Sequence, residues 1–141
     1  MELKIRYHAP ITKIEKLPQG DWIDLRAAER AEIRQGEHRM ISLGVSMKLP
    51  EGYEAHIVPR SSLFKKHGLM LVNSCGIIDE SYCGNNDVWF FNAYATRDTV
   101  VEFDERICQF RLFEKMPELV ITETDELSGP DRGGFGSTGS F

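Results

Sequence analysis

The sequence predicts an all-β domain: a barrel or sandwich of many short strands, one short helix and a glycine-rich C-terminal arm. Three observations carry that prediction. Apolar residues recur mostly at period two, the spacing of strands that bury one face. Turn-forming clusters separate the apolar runs, at Pro18-Gln19-Gly20, Gln35-Gly36, Leu49-Pro50-Glu51-Gly52 and Gly84-Asn85-Asn86. Helical signals gather in one place, "SSLFKKHG", where a serine can cap the start and Gly68 the end.

Taken in order, "LKIRY" alternates Leu3, Ile5 and Tyr7 and predicts the first strand. "GDWIDLRAAE" sets Asp24 between apolar neighbours on a second. "YEAHIVP" places Tyr53, Ala55 and Ile57 on one face. "DVWFFNAYA" and "ICQFRLF" are dense in branched and aromatic residues, and "ELVITETDEL" reads as a less regular final strand. The strand pattern then runs out, which divides the chain into a β domain over 1–130 and a flexible lid over 131–141. No internal repeat and no second domain are visible.

A chain of 141 residues is long enough for one hydrophobic core, and 41% apolar against 28% charged residues is a globular balance, too apolar for disorder. The formal net charge of −5 opposes binding to DNA or another long polyanion. A small anion could still bind, through local arginines, backbone amides or a metal ion. No stretch has signal-peptide character or the roughly 20 apolar residues of a membrane helix, so the expectation is a cytoplasmic protein without a membrane partner. Cys75, Cys83 and Cys108 are odd in number and lack metal-ligand spacing. They read as reduced thiols packed in the core.

Five segments bear groups that could do chemistry. In "PRSSLFKKHG", Arg60 followed by Ser61 and Ser62 at a helix start could hold an oxyanion, or could be a capped surface helix. In "NSCGIIDESYCG", Asp79 follows two isoleucines and could act as a general base or simply order a turn. Asn73 offers a donor and an acceptor to a base edge, and Tyr82 offers a flat ring, which favours the first reading. Asp24 and Gln109 are uninformative alone. "GGFGSTG" is as glycine-rich as a phosphate loop, but it lacks the lysine and the following helix that such a loop needs.

In their order along the chain, "GDWIDLRAA", "PRSSLFKKHG", "NSCGIIDESYCG", "RICQF" and "RGGFGSTG" resemble the five motifs of the trimeric dUTPases, most closely those of Gram-positive bacteria and their phages. The resemblance spans nearly the whole chain. It departs at Asp21-Trp22-Ile23, where the family usually has Ala-Gly-Tyr before the aspartate, and at Asn85, where an acidic residue or glutamine is usual. It implies a β-clip, jelly-roll-like barrel and a homotrimer with shared active sites. The implied reaction splits dUTP into dUMP and pyrophosphate, which keeps uracil out of DNA and supplies dUMP for thymidylate synthesis.

By the same resemblance, Asn73 and the backbone of Gly76, Ile77 and Ile78 through Tyr82 would read uracil, with Tyr82 under the deoxyribose. Arg60, Ser61, Ser62 and Gln109 would serve the phosphate chain. Asp79 would activate the attacking water. Mg²⁺ would ride on the triphosphate, with Asp24 reaching it through water. Arg132, Phe135, Gly136, Ser137 and Thr138 would close over the nucleotide from a neighbouring chain. Two other readings remain at this stage. One is a dCTP deaminase of the same fold, for which Glu80 would be the proton carrier. The other is a regulatory protein that keeps the nucleotide site as a switch.

Overall fold

A computed structural model describes residues 1–136 and 138–141. Eleven strands and one helix follow the chain: β1 (Lys4–Tyr7), β2 (Ile23–Arg26), β3 (Ala31–Ile33), β4 (His38–Ser42), β5 (Val45–Lys48), β6 (Tyr53–Pro59), α1 (Leu63–His67), β7 (Leu69–Leu71), β8 (Gly76–Ile78), β9 (Phe90–Ala95), β10 (Thr99–Val101) and β11 (Arg106–Glu114). All pairings are antiparallel. They form a four-stranded sheet in the order β2-β11-β6-β8, a three-stranded sheet β4-β9-β7, and the ribbons β1-β5 and β10-β3. The result is the expected all-β fold with one short helix.

The period-two pattern does the sorting. On β6, Ala55 and Ile57 turn inward, and on β11 Cys108 and Phe110 do, with Ile107 also buried where the register against β2 shifts. β9 alternates buried Phe91, Ala93 and Ala95 with outward residues. Trp89 and Phe110 meet edge to face at 5.3 Å in the centre of the core. Burying such a side chain contributes about 1.5–3 kcal/mol, so these aromatics and the aliphatics around them supply most of the drive for closure. The indole Nε1 of Trp89 is buried with no hydrogen-bond partner among the described residues.

Helix α1 is a single turn and a half whose stability comes from its ends. Gly68 closes it with φ of 64°, a left-handed cap in which its amide bonds to the Phe64 carbonyl. A Cβ there would lie 2.7 Å from the Thr96 hydroxyl oxygen, so both space and φ require glycine. The buried His67 bridges the Thr99 hydroxyl and the Glu105 carboxylate, which fastens the helix to β10 and to the start of β11. Ser62 takes the N-cap position but makes no side-chain capping bond. The helix holds without it, because its last turn is pinned by tertiary contacts.

Two expectations fail. "ELVITETDEL" forms no strand: among the described residues the last strand ends at Glu114, and Leu119, Val120, Ile121 and Leu127 are all more than 60% exposed. Strand propensity is satisfied only by a sheet edge to pair with, and this segment meets none among the described residues. The cysteines also divide. Cys108 is fully buried, Cys75 is partly buried and Cys83 is exposed, so core packing describes only the first. Burial beside Asp24 pushes the Cys108 thiol far up, which leaves it inert.

Candidate active site

The four-stranded sheet brings the predicted residues into two groups. The first centres on β11. Gln109 lies opposite Asp24 on β2 and opposite Val58 on β6, and its side-chain amide donates to the Pro59 carbonyl at 3.2 Å. Arg60 leaves β6 directly beyond, tied by its amide to the Ile107 carbonyl at 3.3 Å. Its guanidinium stands 3.4 Å from one oxygen of Asp24, and Arg106 stands 3.7 Å from the other. Asp24, Arg60 and Gln109, distant in sequence, thus share one end of the sheet. Ser61 and Ser62 are exposed beside them at the start of α1.

The sequence reading missed Arg106. Its signal was present, since it opens the "RICQF" segment, but a cation in a strand carries no spacing that links it to Asp24. With Arg60 it gives an acidic protein a local surplus of positive charge. Both arginines are partly exposed, so solvent screens the attraction, and the pairs contribute little to stability. A cleft of 210 Å³ opens on the same side, lined by Lys13, Trp22, Asp24, Arg26 and Arg106 among others.

The second group is the hairpin after β7. Ser74 adopts a left-handed φ of 61°, and the amide of Cys75 bonds back to the Asn73 carbonyl at 2.6 Å, turning the chain into β8. Asn73 is exposed at this turn. Gly76, Ile77 and Ile78 pair with Ile57, His56 and Ala55 of β6, with Ile78 against the core and Ile77 outward. Asp79 follows. Its Oδ1 accepts from both the amide and the hydroxyl of Ser81, each at 2.8 Å. Those bonds, amide first and hydroxyl second, hold the Asp79 carboxyl below the usual carboxylate range, and the charge of Lys115 adds to the effect. The Tyr82 amide bonds to the Asp79 carbonyl at 3.0 Å and its hydroxyl to the Val88 carbonyl at 2.9 Å, so the ring is fixed while still 38% exposed.

Ser81, which sequence reasoning did not assign, thus orients Asp79 within the hairpin. Glu80 is not free: one carboxylate oxygen accepts from the Gly52 amide and the other from Lys115 Nζ at 2.8 Å.

Asp79 does not meet the first group within one chain. Ile78 pairs with Ala55, which sets Asp79 level with Glu54, whereas Arg60 lies beyond the other end of β6. At about 3.3 Å per residue, roughly 20 Å of strand separates them. Nor does the tail reach either group: Phe135 is fully exposed, and Arg132, Gly136 and Thr138 are exposed. Ser137 lies outside the described residues. Among the described residues no set of three or more His, Cys, Asp or Glu side chains is placed to hold a metal ion. Asp24 is a single, partly exposed carboxylate facing two arginines at ion-pair distance. It has oxygen lone pairs left for a water molecule, which fits a hard cation carried mainly by phosphate oxygens and water.

A family model for dUTPase matches residues 16–139. The chain is 56% identical over 141 residues to the SPbeta prophage-derived deoxyuridine 5'-triphosphate nucleotidohydrolase YosS of Bacillus subtilis (strain 168), covering 99% of each. It is similar in fold to a point mutant of the Staphylococcus bacteriophage 80alpha dUTPase solved with dUpNHpp, with a TM-score of 0.81, 20% identity and 99% of each chain covered. It also resembles in fold a point mutant of the dUTPase from phage phi11 of S. aureus, with a TM-score of 0.76 and 18% identity over 92% of this chain and 100% of the other. That structure concerns the coordination of a structural Mg(II) ion.

Proposed function

The chain belongs to the dUTPase family, and we propose that it hydrolyses dUTP to dUMP and pyrophosphate at sites that three copies of the chain complete together. The observation that carries the shared site is the span of β6. A water activated by Asp79 must stand against the α-phosphorus, yet Arg60, Ser61 and Ser62 of the same chain lie about 20 Å away along the strand. A neighbour's phosphate-binding end is what Asp79 needs beside it. The exposed tail supports the same reading, since Arg132 and Phe135 are exposed on their own chain.

In this reading the β8 hairpin recognises uracil. Its backbone groups and the Asn73 amide meet the base edge, and the fixed ring of Tyr82 lies under the deoxyribose, where a 2′-hydroxyl would need space. Hydrogen bonds that cytosine cannot match discriminate by about 10⁴ or more, whereas exclusion of thymine's methyl is a matter of about 1–3 kcal/mol.

Both Ser81 bonds fall on Oδ1 of Asp79, so Oδ2 is the oxygen that takes the proton from water. The hydroxide oxygen bonds to the α-phosphorus as the bond to the α–β bridging oxygen breaks, and pyrophosphate leaves with that electron pair. Arg60, Ser61, Ser62 and Gln109 hold the departing phosphates, and Arg106 joins them through Asp24. Mg²⁺, carried on the triphosphate with Asp24 accepting from a coordinated water, would offset the phosphate charge. Arg132 would add charge at the terminal phosphates, and Phe135, Gly136, Ser137 and Thr138 would cover the nucleotide and exclude water.

The deaminase alternative needs Glu80 as a mobile proton carrier at the base. That carboxylate is engaged by Gly52 and Lys115, which supports the hydrolase instead. The deciding measurement is pyrophosphate release from dUTP, with dTTP, dCTP and UTP as controls and ammonia release from dCTP measured alongside. Selective pyrophosphate release is expected, and Asp79→Asn should lose turnover while still binding dUTP. Ammonia from dCTP, or substantial turnover in that variant, would refute the assignment.

A further inference from the structure

Glu80 has no step in the chemistry above, yet its carboxylate is engaged at both oxygens. Oε2 accepts from the Gly52 amide and Oε1 from Lys115 Nζ. Lys115 also donates its own amide to the Gly52 carbonyl at 2.9 Å. These contacts close a ring through three parts of the fold: the turn between β5 and β6, the residue after β11, and the hairpin that carries Asp79.

The ring sits where the sheet has stopped helping. β8 is an edge strand of three residues, and its last ladder pair is Ile78 with Ala55. Asp79 stands one residue past that pair and Glu80 two. Beyond the ladder, the Glu80 carboxylate is the first link from the hairpin back to the body of the sheet. Ser81 orients the Asp79 carboxylate within the hairpin, but both belong to the same short turn and would move together.

We propose that Glu80 is a positioning residue for the reaction: its bridge to Lys115 and Gly52 sets where Asp79 and the base-reading backbone stand. The proposal rests on Asp79 being the general base of a dUTP hydrolase. Ammonium and carboxylate are both partly exposed, so the ring's value lies in register rather than in global stability. Placement matters because a misplacement of 1 Å in a catalytic constellation can cost about 10²-fold in rate.

The test is steady-state kinetics on dUTP with the full-length chain, together with thermal unfolding. Glu80→Ala should lower kcat about ten-fold and raise KM, because base recognition and the catalytic carboxylate shift together. Its thermal midpoint should move by only about 2–4 °C. Glu80→Gln, which keeps an acceptor for Gly52, should recover most of the loss. Lys115→Met should lose less than Glu80→Ala, and the double variant should match Glu80→Ala alone, since one ring is broken only once. Wild-type kcat and KM in Glu80→Ala would overturn the proposal. A reduced active fraction with unchanged KM would do the same, by showing a purely structural role, and so would fully additive losses in the double variant. A wild-type enzyme without dUTP turnover would take down the underlying assignment as well, which separates the two failures.

Discussion

Replacing Gly76 by alanine tests whether the seat of β8 against β6 governs the rate. A Cβ at position 76 would lie 3.2 Å from the Cβ of Ile57, its partner across the ladder. Carbon atoms rest at about 3.5–4.0 Å, so the contact must open by about half an ångström. Ile57 cannot yield. It is 1% exposed, its Cβ has no rotamer that moves it, and its strand is paired on the other side with β11. The edge strand gives way instead, and Asp79 travels with it. If about 10²-fold is lost per ångström of misplacement, half an ångström costs about ten-fold in kcat/KM. Overpacking costs about 1–3 kcal/mol, offset by about 0.5–1 kcal/mol from the lost freedom of glycine in the unfolded chain. The net is about 1 kcal/mol, or about 2–4 °C in Tm. Pyrophosphate release and calorimetry on the same preparation measure both. A folded Gly76→Ala enzyme with unchanged kcat/KM would refute the reasoning, because the strand would have moved without carrying the base.

Three further outcomes are expected. Ser81→Ala removes one of the two bonds that keep the Asp79 carboxyl low; the base must be anionic to work, so the acid limb of the kcat/KM profile should move to higher pH, and an unmoved limb would dismiss the serine. Chelating divalent metal should nearly stop turnover and Mg²⁺ should restore it, while the nucleotide-free protein binds the ion weakly; tight stoichiometric binding without nucleotide would contradict the role given to Asp24. Chains carrying Asp79→Asn, refolded at equal amounts with chains cut after Pro130, should rebuild about one quarter of the sites if a closed trimer takes aspartate and tail from different chains. Mixed trimers of confirmed mass that stay inactive would exclude that sharing.

Much of this was legible in the residues. β6 matches "YEAHIVP" because its alternation is undisturbed and a proline marks its end. Asp79 was legible as a carboxylate at the edge of an apolar wall, since two isoleucines precede it on a strand. Its partners were partly hidden. Ser81 is local and could have been read as a turn that satisfies an aspartate. The link from Glu80 to Gly52 joins residues 28 positions apart, and nothing at either end announces it. Arg106 and Asp24 meet only because β11 registers against β2. The run 118–127 was misread for a related reason: residue type shows willingness to be a strand, but not whether an edge is on offer.

That unpaired run has a consequence for how the chain is handled once it is made. A newly made chain presents Val120 and Ile121 to solvent, at 80% and 89% exposure, on a backbone held in no ladder. Such a stretch is what a protease can thread and a chaperone can grip. A cut anywhere in it would separate the glycine-rich arm, Asp131 to Phe141, from the strands. Limited proteolysis is therefore expected to cut here before it cuts any strand, parting the glycine-rich arm from the sheets.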